Sequence, residues 1–376
     1  MSQLRYSIPL ARPAISESDI AAVVEVLRSG MLVQGPKVSA VEAALCHRTG
    51  APFAAAAANG TATLHLALLT LGIGPGDEVI VPAFSYVATA NAVIHAGATP
   101  VFVDIEEATF NIDVAKIEAA ITPRTRAIMP VHEFGLCADM DAVMDLARQH
   151  QLLVIEDAAC ALGALDGGRE AGTMGDAGSF SFHPRKAATS GEGGALLLKK
   201  EEHWLAARAL RNHGIGQRLG DTSDDFIYAG YNFRLTDIAA ALLLGQLERV
   251  DAARERRAEL ADRYNAAFSI SGVIQPPVTP LGKRHAWQTY HVMLHPTLDR
   301  NRIIHGMASL GIGCSYGAQC IPALPIYREK YGFSLSKFPV SYRCFNDGLA
   351  LPLYESLQNN EVDFVAQSLL RLTGIP

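Results

Sequence analysis

The sequence has no Cys-x-x-Cys pair and no His/Cys cluster at zinc spacing. That sets aside a structural zinc site and a dithiol redox centre. Its six cysteines (46, 137, 160, 314, 320 and 344) read as reduced thiols that mostly pack. No apolar run reaches the roughly 18 residues that a membrane-spanning helix needs. The opening stretch, MSQLRYSIPLARPAISESD, lacks a basic segment followed by an apolar one, so no secretory leader is read there and a cytoplasmic location is expected. Blocks of basic charge are also missing. A formal net charge of -6 leaves no footprint for nucleic acid or for an anionic membrane surface. Small anionic ligands remain open, because a local site can be basic in an acidic chain. Charged residues are few, at 19%, and hydrophobic ones make up 49%. Such a chain buries a sizeable core. Its 376 residues suit a large domain, read as 1–250, and a smaller one, read as 251–376.

From about residue 54 to 200, short apolar runs alternate with helical spacing. The runs are 79–84, 100–104, 127–132, 152–157, 178–182 and 194–198. Continuous apolar runs of this length suit strands covered on both faces. Helical patterns lie between them, as at 61–72 and 139–150. The alternation predicts an α/β fold with a mostly parallel sheet and helices on both faces. The alanines at 54–58 read as a low-complexity tract. Beyond about 245 the pattern changes to a long charged helix (242–268), whose arginines and glutamates read as a solvated face. A Pro-rich linker, a strand at 288–295, a helix at 299–310 and a last helix after Leu353 complete a smaller α+β unit.

Three segments carry chemistry. Asn59-Gly60-Thr61 opens a helical pattern. A helix start leaves backbone N–H groups unpaired, and with the helix dipole it attracts a phosphate. Alone, the tripeptide reads first as a turn with a cap. Next, Ile155-Glu156-Asp157 closes a buried strand. Open α/β sheets bind ligands at that end. Asp157 there wants a cationic partner, such as a protonated pyridine ring, or else caps a following helix. Last, SFSFHPRK (179–186) leaves a strand and runs into a glycine turn. Lys186 is one of eight lysines, but it follows a buried strand instead of lying in a surface pattern. Beside Arg185 and a cationic cofactor its amine is expected to have a lowered pKa, as Schiff-base chemistry requires. Ser181 lies five residues before it and has a hydroxyl to offer a phosphate.

The order of these segments matters more than any one of them. GMLVQGPKV (30–38), NGTATLHLAL (59–68), GIGPGDEVIVPAFSYVATANAV (72–93), GATPVFVDI (97–105), ITPRTRAIMPVHEFG (121–135), VIEDAACALGA (154–164), GSFSFHPRK (178–186), GEGGALL (191–197), RNHG (211–214) and GYNFRLTDIAAALLLGQLERVD (230–251) follow one another almost without a gap. In this order the chain resembles the DegT/DnrJ/EryC1/StrS sugar aminotransferases, with wording close to the GDP-perosamine synthases among them. The resemblance implies a type I aminotransferase fold and pyridoxal 5'-phosphate (PLP) as cofactor. It makes Lys186 the lysine that binds PLP and moves protons, and Asp157 the partner of the ring nitrogen. Gly60, Thr61 and Ser181 become phosphate ligands, and Tyr86 the aromatic stacked on the ring. Asn232 becomes a phosphate ligand given by a second copy, so a homodimer with a shared site is implied. The implied reaction uses L-glutamate to aminate a nucleotide-linked keto sugar, 4-keto-6-deoxy in type.

Three departures stand out. Cys160 occupies a position where His or Gln is common. CSYGAQCIPALPIY (314–327) replaces a His-Pro type segment near the sugar. His132-Glu133-Phe134 replaces the commoner His-Leu-Tyr or His-Leu-Phe, leaving Glu133 to face either sugar or solvent. A branch of the family that dehydrates sugars has His in place of the lysine, so Lys186 selects amination. Two other readings accompany this one: an aminotransferase of keto-inositols or other cyclic ketones, and a PLP-binding regulator without turnover.

Overall fold

The computed structural model describes residues 6–217 and 224–374. Residues 1–5, at the start of the opening stretch, lie outside the described residues. A seven-stranded sheet organises the larger part. From edge to edge its strands are Phe53–Ala57, Gly194–Leu198, Ala177–Ser181, Leu153–Asp157, Thr125–Ile128, Glu78–Pro82 and Thr99–Val103. Gly194–Leu198 runs antiparallel to both neighbours, and every other adjacent pair is parallel. The mostly parallel α/β expectation therefore holds.

The sheet's two faces account for the apolar runs. Successive strand side chains point to opposite faces. Ile80, Ile128 and Val154 join the helices Pro36–Thr49, Met140–His150 and Asp237–Glu248 in one core. Val79, Val81, Ala127 and Ile155 join Gly60–Thr70, Ala88–His95 and Glu201–Leu210 in the other. Both faces are covered, so no polar alternation survives in these strands.

The alanine tract folds as an ordered strand. Phe53–Ala57 is an edge strand paired residue for residue with Gly194–Leu198. Alanine fits there because helices press on both faces. The long charged helix is in fact two, Asp237–Glu248 and Val250–Phe268, broken at Arg249. Nor is its charge all solvated. Arg257 is buried, donates from Nε to the Ala286 carbonyl, and lies 3.6 Å from Glu355.

A three-stranded antiparallel sheet, in the order Ile274–Gln275, Tyr290–Leu294, Gly348–Leu351, centres the smaller part. Val250–Phe268, Arg300–Ser309 and Asn359–Leu372 supply residues to its core, and Ile8 joins them from the other end of the chain. Among the described residues no helix is long and apolar enough to cross a membrane.

Candidate active site

The parallel strands deliver their last residues to one edge of the sheet. On Leu153–Asp157 two acids are consecutive, so they leave by opposite faces. Glu156 goes to the back. It accepts from the backbone N–H groups of Gly172, Met174 and Gly175 and from His132 Nε2 at 2.8 Å. The amide of Ala138 donates to His132 Nδ1, which leaves Nε2 as the protonated ring atom. Asp157 goes to the front. Thr89 donates to its Oδ2 at 2.7 Å and the Ala159 amide to its Oδ1 at 3.2 Å. Turns follow it, not a helix, so Asp157 caps nothing. Burial raises its pKa, while the bonds from Thr89 and Ala159 and the charge of Lys186 act to lower it.

The helix Gly60–Thr70 begins beside this strand end. Asn59 caps it by accepting from the Ala62 amide at 2.9 Å. Ser181, last in its strand, lies against the helix start. A methyl group on Gly60 would sit 2.8 Å from Ser181 Cβ, and one on Gly194 would sit 2.6 Å from the Asn59 carbonyl carbon. Glycine is required at both positions for this close approach. Behind the contact, the Thr63 and Ser179 hydroxyls bond at 2.6 Å and fasten the helix to the sheet. Gly60, Thr61 and Ser181 are thereby gathered at one point of positive helix dipole.

Lys186 lies in the loop after Ser181. Its Nζ donates to Cys160 Sγ at 3.0 Å. Burial alone would lower the pKa of the ammonium, but Cys160, Asp157 and Glu133 together outweigh it and raise the pKa above the ordinary lysine value. The lowering was expected beside Arg185 and a cationic cofactor together, and of these two Arg185 is not among the groups that act on Nζ. Arg185 is exposed, and the groups surrounding Nζ are acids and a thiol. Burial likewise raises Cys160, which favours its neutral thiol.

Tyr86 follows the buried Ser85 and is 64% exposed, at the rim of this cluster. Ser85 and Thr89 share a hydrogen bond of 2.9 Å, and Thr89 continues it to Asp157. Asn232 is not part of the cluster. It is exposed and pairs its backbone with Asn212, near the edge strand Phe53–Ala57. Two members were not assigned from sequence. Thr89 stands three residues after Tyr86, and that spacing on a helix start was the available signal. Glu133 was seen but not placed. The structure buries it against the cluster, not in solvent.

The DegT/DnrJ/EryC1/StrS aminotransferase family model matches residues 13–370. The spore coat polysaccharide biosynthesis protein SpsC of Bacillus subtilis is 40% identical, with 96% of each chain covered. GDP-perosamine synthase of Caulobacter vibrioides is 38% identical over 96% of this chain and 97% of its own. UDP-4-amino-4-deoxy-L-arabinose–oxoglutarate aminotransferase of Shewanella sediminis is 36% identical, with 98% of each chain covered. Among solved structures, Spr1654 of Streptococcus pneumoniae in its pyridoxamine phosphate form superposes with a TM-score of 0.93 at 32% identity, covering 98% of this chain and 99% of its own. The same protein is also solved in a PLP form. The chain belongs to the DegT/DnrJ/EryC1/StrS aminotransferase family, and it is a PLP-dependent aminotransferase.

Proposed function

We propose that this enzyme transfers the amino group of L-glutamate to the keto carbon of a nucleotide-linked keto sugar, 4-keto-6-deoxy in type. The observation that carries the reading is the convergence of Lys186, Asp157 and the Gly60–Ser181 contact at one sheet edge. The donor set suits PLP. A buried carboxylate meets a cationic ring, and the close approach at a helix start meets a phosphate. The substrate class is supported by relatives named for GDP- and UDP-linked amino sugars, and the donor by one named for oxoglutarate, the keto acid of glutamate.

PLP bound there supplies the electron sink for a carbanion. The chain's residues supply the rest. Asp157 holds the ring nitrogen protonated, and Thr89 and Ala159 hold Asp157 in place. Gly60, Thr61 and Ser181 bind the phosphate, and Tyr86 covers the ring face. Lys186 Nζ takes the proton from the donor's α carbon and later returns one at the sugar carbon. Positioned acid–base catalysis of this kind contributes roughly 10²–10⁴-fold. Asn232 reaches the phosphate of a second copy. In support, Leu27, Met31, Leu32, Val33 and Phe226 are large apolar side chains left exposed on one protomer. Residues 1–250 form the cofactor domain in this reading, and 251–376 the smaller one.

Purified protein should bind PLP with a visible absorbance band that Lys186→Ala abolishes or alters. A colourless protein after PLP addition refutes the reading. Glutamate with a panel of UDP-, GDP- and dTDP-linked keto sugars, read by mass, then names the substrate. Turnover of a keto-inositol alone rejects the sugar-nucleotide class. Full PLP retention in Asn232→Ala counts against the shared site.

A further inference from the structure

The loop His132–Leu136 is held unusually tightly. Phe134 has a φ of 56° and Gly135 one of 100°, a left-handed pair that reverses the chain. Phe134 stacks on His291 of the smaller sheet at 4.4 Å and meets Phe110 at 5.5 Å. The Glu133 amide donates to Asn111 Oδ1 at 2.9 Å, and Asn111 Nδ2 donates to the Leu136 carbonyl at 3.1 Å. A methyl group on Gly135 would lie 2.9 Å from the Cys160 carbonyl, so the loop rests on the segment that carries Cys160. Phe134 turns toward the smaller sheet, and the Glu133 carboxyl lies near enough to Lys186, Asp157 and Ser85 for each of them to act on it. The Glu133 side chain is buried, and Oε2 has no hydrogen-bond partner among the described residues. An unpartnered buried carboxyl oxygen costs on the order of 1–3 kcal/mol.

We propose that Glu133 is a further positioning residue of the active site: its carboxyl lies beside Lys186 and Asp157 and, once ionised, adds to the groups that hold positive charge on the lysine nitrogen. This rests on the PLP reading above. Glu133 is pushed up to about 8, by burial first, with Lys186 pulling it back down and Asp157 adding to the rise. Near neutral pH it is a neutral acid, and above about pH 8 it becomes an anion beside Nζ. The other charged or titratable groups around the pair are few. His183 and Arg185 share the Lys186 loop, and His132 is committed to Glu156. His291 and His285, from the smaller part, are pushed down to about 3 by burial and stay neutral.

The test is a visible-absorbance titration of the PLP-loaded enzyme from pH 6 to 10, with Glu133→Gln and Glu133→Asp beside wild type. Glutamine keeps the shape of the neutral acid and cannot ionise. The lysine nitrogen should lose its proton about 0.5–1 pH unit earlier in Glu133→Gln, a three- to tenfold fall in proton affinity. Glu133→Asp should fall between the two. The same order should appear when Lys186 of the PLP-free chain is labelled competitively with acetic anhydride. Coincident midpoints in all three proteins overturn the role of Glu133 and leave the PLP site standing. A wild type that takes up no PLP overturns the site reading and this inference with it.

Discussion

Replacing Glu133 with glutamine should make the protein more resistant to unfolding as pH rises. Glu133 is 5% exposed, and its pKa is pushed from 4.5 to about 8. Below pH 4.5 the side chain holds its proton in both folded and unfolded chains. Between 4.5 and about 8 the unfolded chain has released the proton and the folded chain still holds it. A group with a raised folded pKa therefore gives stability that is lost as pH rises through this window. The window spans about 3.5 pH units, and at roughly 1.4 kcal/mol each that is at most about 5 kcal/mol. Local relaxation and water entry would cut this to about 2–4 kcal/mol. Glutamine has no such loss, so the two proteins should diverge from pH 5 to pH 8 and run parallel above it. In a chain of this size each kcal/mol moves the melting temperature by about 1.3 °C. The gap should therefore widen by at least about 2.5 °C. Thermal melts of both proteins, stripped of PLP and compared at each pH, measure it. Melting curves that stay parallel from pH 5 to 9 would show that Glu133 is hydrated or paired and refute its burial as an unpartnered acid.

Two further substitutions probe the front of the site. Thr89→Val keeps shape but removes the 2.7 Å bond to Asp157. A bond to a charged group is worth about 1.5–3 kcal/mol, so PLP should dissociate about 10- to 100-fold more readily by equilibrium dialysis. An unchanged dissociation constant would mean that Thr89 does not hold Asp157. Gly60→Ala puts a methyl group 2.8 Å from Ser181 Cβ and should part the helix start from the strand end. PLP retention should drop at least tenfold while far-UV circular dichroism is unchanged, and full retention would refute the phosphate cradle.

The parallel strands were legible because burial on both faces leaves an unbroken apolar run, as in Glu78–Pro82 and Leu153–Asp157. The edge strand Phe53–Ala57 was not. Alanine has little strand preference, and only the helices pressing on it make small side chains necessary. Arg257 read as a surface charge because helical spacing says nothing of Glu355, which lies 98 positions away and reaches it only in the fold. Lys186, Asp157, Gly60 and Ser181 stood out by order along the chain. The direction of the shift at Lys186 did not, because it depends on Cys160 and Glu133, which come from two other loops.

The adjacent acids Glu156 and Asp157 show how far chemistry can be read from residue type alone. Both are buried carboxyls on one strand, one position apart. Glu156 receives three backbone amides and an imidazole, so its charge is used up in holding the turn at 172–175. Asp157 receives one hydroxyl and one amide, which leaves its charge under-compensated at a strand end. Glu156→Gln would set an amide NH₂ against N–H donors and should lower the melting temperature without moving the visible band of bound PLP. Asp157→Asn keeps the fold and removes the charge that holds the ring nitrogen protonated, so the band should shift or vanish at unchanged melting temperature. The opposite pairing, a spectral change in Glu156→Gln and a stability loss alone in Asp157→Asn, would reverse the assignment of front and back. Strand alternation decides which acid meets the cofactor, and hydrogen-bond supply decides which one still has charge to give.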